Sequence, residues 1–231
     1  MLFFDPVYIL FALPGLVLSL WASFYTKSSF AKYARVPSAR GFTGAAAARE
    51  LLDRNGVRDV RIEPVQGRLT DHYDPRTRTL RLSQGVYQST SLSAVGVACH
   101  EAGHALQHAQ NYAFLGLRSA LVPMTGLGSN VSYGFIIVGF LFRSQSLILA
   151  GALLFSIAVL FSIVTLPVEW NASARAKRAM VHAGILSPSE ERGAGRVLNA
   201  AFLTYVAAAV SSLMILLYYL MRAGVLGGGD D

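Results

Sequence analysis

Residues 6–26, 119–142, 144–168 and 197–221 contain no Asp, Glu, Lys or Arg. Each stretch is long enough to cross a bilayer core of about 30 Å as a helix, so the pattern predicts four transmembrane helices. Asp5 precedes the first stretch and no Lys or Arg does, whereas a signal peptide begins with a basic region. A retained helix is therefore expected. Only Arg143 and the short run Ser144-Gln145-Ser146 mark the junction of the second and third stretches, which makes a tight membrane hairpin with both ends on one side.

Between the spans the period changes. Residues 45–54 open with four alanines and place Leu51 and Leu52 on one side. That is strong helix-forming material, with Thr43 as N-cap and Asn55-Gly56 as the stop. Residues 57–65 alternate, with Val60 and Ile62 opposed to Arg61 and Glu63, which predicts a strand ending near Pro64. Residues 67–73 and 77–82 flank Asp74-Pro75-Arg76 and predict a β hairpin. A helix is then expected over about 91–110, and the chain continues through Tyr112 to Arg118 into the second span, tethering that helix close to the membrane face.

The expected organisation is a mainly α membrane protein with a small α+β part. It comprises an N-terminal transmembrane helix (1–26), a cytoplasmic α+β segment (27–118) and a transmembrane hairpin (119–168). A cytoplasmic helical segment (169–196) and a C-terminal transmembrane helix with a short tail (197–231) complete it. Composition agrees, since 53% of the 231 residues are hydrophobic and 14% charged, against about 25% charged in ordinary soluble domains. Twelve Lys or Arg lie between Lys27 and Arg81 and five between Glu169 and Arg196. By the positive-inside rule both polar segments are cytoplasmic and the termini lie outside. Membrane orientation thus accounts for the net charge of +7, and no interleaved aromatic and basic pattern points to nucleic acid. The single cysteine, Cys99, excludes an intramolecular disulfide and a thiolate zinc cluster, and a small buried helix residue is its expected role.

The chemistry concentrates in His100-Glu101-Ala102-Gly103-His104. Residues four apart on a helix lie on one face, so both imidazoles can share one metal, while Glu101 is offset enough to act as a base toward water. With five His and six Glu in the chain, chance supplies roughly 0.003 matches to this pattern. Hydrolytic zinc has three protein ligands and keeps one position open. His108 lies about 12 Å along the helix from His100, too far to share the metal, and is expected only to support the site. The metzincin spacing fails as well, because Gln107 and Gln110 stand where that pattern has Gly and His. Glu169 is the better third ligand. It is the only charged residue between Arg143 and Arg175, follows the third span directly, and needs either a metal or a basic neighbour as partner.

In chain order, the segments 71–76, 96–108, 118–123 and 166–173 resemble the YugP-type family of neutral zinc metallopeptidases, across nearly the whole chain, which implies that the small α+β part is zincin-like. The resemblance implies a prokaryotic multi-pass membrane peptidase of the gluzincin kind, with one Zn2+ per chain. Gluzincins often carry an aspartate four residues after the glutamate ligand; here Ser173 stands there, and Asn171 is a second candidate to orient a ligand. The expected reaction is hydrolysis of a peptide or protein substrate at the cytoplasmic face of the inner membrane. His72, Tyr73, Arg175 and His182 are candidate oxyanion or substrate contacts, and the hairpin edge could pair with an extended peptide. The intramembrane site-2 type of protease takes an Asp ligand from a membrane helix, and no Asp occurs between Asp74 and Asp230. The alternative of another class is a membrane scaffold or transport component with a structural or vestigial zinc site, and spans without buried charges argue against an ion path.

Overall fold

The computed structural model describes residues 5–67 and 69–226. Arg68 of the expected hairpin, and residues 1–4 and 227–231 of the expected terminal segments, lie outside the described residues. In chain order the elements are α1 (Pro6–Tyr33), α2 (Gly44–Arg54), β1 (Arg61–Val65), β2 (His72–Asp74), β3 (Thr79–Ser83), α3 (Gln84–Tyr87), α4 (Leu92–Ala109), α5 (Ala113–Leu141), α6 (Gln145–His182) and α7 (Pro188–Arg222). Among the described residues, α1, α6 and α7 are long and apolar enough to cross a membrane. The expected second span falls on α5, whose halves Ala113–Gly126 and Gly128–Leu141 meet at 42°. Pro123 and two glycines accompany the bend, the usual sources of a kink. It counts as a fourth span only when both halves are taken together. On α1, Leu10, Leu20 and Phe24 are 70, 63 and 73% exposed, an apolar surface suited to lipid and costly in water.

The chain divides into two compact units. The first comprises Met1–Ala22, Gly116–Leu166 and Thr204–Asp231 and packs Ile136, Phe155, Val159, Tyr218 and Tyr219 as its buried cluster. In it, the Asp5 carboxylate accepts hydrogen bonds from Tyr218 Oη at 2.8 Å and from the Arg222 guanidinium, fastening the start of α1 to the end of α7. Arg143, in the left-handed region at φ 51°, turns the chain between α5 and α6.

The second unit, Ser23–Leu115 and Pro167–Leu203, holds the sheet and the polar chemistry. Its core joins Leu51 and Leu52 of α2, Leu80 and Leu82 of β3, Val95 and Cys99 of α4, and Met180 of α6. Thr43 caps α2, its hydroxyl accepting from Ala46 N, and Gly56 at φ 75° ends it, both as the sequence implies. The sheet has the order β1-β3-β2. β2 and β3 are the expected antiparallel hairpin, with Tyr73 opposite Leu80, whereas β1 runs parallel to β3. The first hairpin strand is shorter than expected. Gly67 and Leu69 adopt positive φ, so extension starts only at His72, after Asp71 has turned its carboxylate onto Ser83 N at 2.7 Å. The turn itself is built by Asp74, whose two carboxylate oxygens accept from Arg76 N and Thr77 Oγ1; these bonds hold its carboxyl below the usual range.

Two junctions differ from the sequence reading. α6 is one continuous helix across residues 168 and 169, so the end of the apolar stretch is a change of composition and not of backbone. Further on, α7 starts at Pro188, nine residues before the apolar stretch at 197. Ser187 and Glu190 fix that start reciprocally: Ser187 Oγ accepts from Glu190 N at 3.3 Å, and Glu190 Oε2 accepts from Ser187 N at 2.8 Å, a capping box with proline at the first helical position.

Candidate metal centre

The HExxH residues lie in α4, which is capped by Ser91, its Oγ accepting from Ala94 N, and closed at Gln110. Asn111 then takes the left-handed conformation at φ 51°, which Asn tolerates better than most residues. The helix is thin where it must be. A Cβ on Gly103 would sit 2.5 Å from the Ala172 carbonyl oxygen, and one on Gly96 3.2 Å from Ala194 Cβ, so α6 and α7 approach its backbone closely. Cys99 is fully buried in the core cluster, and burial pushes its thiol well above its usual range.

At the close approach two i, i+4 pairs face each other, His100 and His104 from α4 and Glu169 and Ser173 from α6. Glu169 Oε2 lies 3.2 Å from His100 Nε2 and 3.5 Å from His104 Nε2. The two imidazole rings stand edge to face at 4.8 Å. Each ring's other nitrogen is also engaged: His100 Nδ1 is 3.0 Å from Ser173 Oγ and His104 Nδ1 3.0 Å from Gln107 Oε1. Glu169 is 2% exposed, and a carboxylate so buried must be compensated by cationic partners. Burial works against a charged His104, but its contact with Glu169 and the nearby Glu101 charge outweigh it and raise its pKa.

The three ligand atoms of His100, His104 and Glu169 lie within 4.8 Å of one another and could hold a metal ion. With zinc–ligand bonds of about 2.0–2.1 Å, tetrahedral geometry separates ligand atoms by about 3.3 Å. The observed 3.2 and 3.5 Å fit that spacing, and two imidazoles with one carboxylate form a donor set that zinc accepts while keeping a position open. Glu101 is outside the set and partly exposed.

The remaining candidates divide. Ser173 reaches His100, and Asn171 accepts at Oδ1 from Gln107 Nε2 at 3.0 Å and from Arg175 Nε at 2.6 Å. Arg175 also donates to Gln110 and stacks over Tyr112 at 5.8 Å. Tyr73 Oη lies 2.8 Å from His108 Nδ1, joining β2 to α4 one turn beyond His104; burial pushes its phenol up to about 12. His72 is exposed and holds the Thr70 carbonyl at 2.8 Å. His182 closes α6, about 20 Å along the helix from Glu169 at 1.5 Å per residue, which removes it from the oxyanion candidates. It lines a cleft of about 350 Å3 with Arg54, Gln110, Arg175 and Arg178. Arg54 and His182 sit in the last turns of α2 and α6, where the helix dipole favours cations.

Gln107 escaped the sequence reading, which treated it only as a departure from the metzincin spacing. It is fully buried, and its place three residues after His104 puts it on the same face of the helix as that imidazole. That offset was the available signal.

Residues 8–224 match the family described as "Putative neutral zinc metallopeptidase". The chain is 49% identical, over 225 residues, to the "Putative membrane protease YugP" of Bacillus subtilis (strain 168), covering 97% of this chain and 99% of the relative. No solved structure matches. A match over nearly the full length, with an HExxH helix facing a buried glutamate, leaves one conclusion: the chain belongs to this zinc metallopeptidase family.

Proposed function

We propose that the protein is a multi-pass membrane endopeptidase using one Zn2+ per chain, held by His100, His104 and Glu169, with Glu101 as general base. It has four spans, α5 serving as one, and cleaves peptide or protein substrates at or near the cytoplasmic face of the prokaryotic inner membrane. The observation that carries this reading is the meeting of both imidazole Nε2 atoms with one Glu169 oxygen at 3.2 and 3.5 Å. The excess of Lys and Arg in the two polar segments supports their cytoplasmic placement.

Bound zinc supplies a Lewis acid that acidifies water and polarises a peptide carbonyl. Glu101, partly exposed beside His100, receives the proton of the attacking water and returns one to the leaving amine. Ser173 and Gln107 hold the outer nitrogens of the imidazoles, so the rings keep their aim during turnover. The test is Glu101→Gln in the full-length protein. Zinc content should stay at wild type while peptide hydrolysis falls about 10²- to 10⁴-fold, the usual worth of a positioned base. Hydrolysis at the wild-type rate in that variant would sink the proposal.

A further inference from the structure

We infer that Gln107 is the positioning residue that keeps a proton on His104 Nδ1 and so turns Nε2 toward Glu169 as the metal-binding nitrogen; this rests on His104 being a metal ligand. The polarity of the surrounding bonds decides it. Gln107 Nε2 lies 2.8 Å from the Val168 carbonyl oxygen and 3.0 Å from Asn171 Oδ1. A carbonyl can only accept. Asn171 Oδ1 is itself fixed as an acceptor, because Arg175 Nε sits 2.6 Å from it and a guanidinium can only donate. Both neighbours therefore require the amide NH2 of Gln107, and reversing the amide would set its oxygen against two oxygens. The Gln107 oxygen is left facing His104 Nδ1 at 3.0 Å, where only an N–H satisfies it.

The consequence reaches the metal. With Nδ1 held as a donor to Gln107, Nε2 is the nitrogen left to bind a metal, and it faces Glu169 Oε2 at 3.5 Å. His100 is less constrained, because the Ser173 hydroxyl at its Nδ1 can donate as well as accept. Gln107 also bonds α6 on both sides of Glu169, at Val168 and Asn171. One amide thereby sets the tautomer of one ligand and ties its helix to the turn that carries another.

The test uses full-length protein and zinc titrated against a chromophoric chelator. Gln107→Leu removes the acceptor and should weaken zinc about 10- to 100-fold, the usual loss when a ligand's outer partner is removed. Gln107→Glu keeps an acceptor at His104 Nδ1 while losing the bonds to Val168 and Asn171, and should hold zinc better than Gln107→Leu does. A packing role predicts the reverse order, since the glutamate would set its charge against the Val168 and Asn171 oxygens. That order, or wild-type affinity in Gln107→Leu, overturns the inference. Ring-nitrogen NMR of zinc-loaded wild type needs no variant: a proton on His104 Nδ1 is expected, and ligation through Nδ1 refutes it. Wild-type protein without stoichiometric zinc overturns the ligand assignment itself, whereas normal zinc with an indifferent Gln107 overturns only this step.

Discussion

Gly103→Ala isolates the contact that sets the distance between the helix of His100 and His104 and the helix of Glu169. The substitution adds one methyl and, by helix propensity alone, should stabilise α4 by about 1 kcal/mol. Its Cβ, however, would lie 2.5 Å from the Ala172 carbonyl oxygen and 3.1 Å from its carbon. Ordinary carbon–oxygen contacts are about 3.3–3.6 Å, so the backbones must separate locally by about 0.8 Å. Metal–ligand distances tolerate only about 0.2 Å. His100 and His104 sit on one side of this contact and Glu169 on the other, so the opening falls directly on the proposed donor set. Overpacking costs about 1–3 kcal/mol; if the metal-free protein relaxes and metal binding restores the strain, affinity falls about 5- to 140-fold at 1.4 kcal/mol per decade. The assay is zinc competition with a chelator, beside thermal unfolding of the metal-free protein. Gly116→Ala is the control, because nothing lies within 4 Å of its added Cβ. Wild-type zinc affinity in Gly103→Ala together with a raised unfolding temperature would refute the close approach.

Tyr73→Phe removes the phenol that meets His108; a stability loss of about 1 kcal/mol is expected, with zinc affinity unchanged, and a tenfold loss of zinc would instead make the hairpin part of the metal's support. Cys99, fully buried with its thiol pushed up, should resist alkylation in the native protein at pH 8 and react on unfolding, as followed by mass spectrometry. Rapid labelling of native protein would contradict the packing of α4.

Local signals were the legible ones. Thr43, Asn55-Gly56, Ser91 and Gln110 mark the ends of α2 and α4 because caps act within one turn of the residues that form them. Glu169 stood out as an isolated charge after an apolar stretch, and the structure brings it against both histidines. The parallel pairing of β1 with β3 was hidden, since it joins strands that are not adjacent in sequence and no turn encodes it. The continuity of α6 through Pro167 was hidden for another reason. Hydropathy reports what surrounds a helix, whereas neighbouring contacts decide where it stops. Gln107 was overlooked because motif spacing was compared with a different peptidase pattern, and its meaning depends on Val168 and Asn171 of another helix.

X-ray absorption at the zinc edge, on purified full-length protein and on Glu169→Ala, bears most directly on the central claim. One zinc per chain is expected, with two imidazoles and oxygen ligands at about 2.0–2.2 Å, and loss of that site in Glu169→Ala. Absence of stoichiometric zinc in the wild type, or an unchanged zinc environment without Glu169, would contradict it.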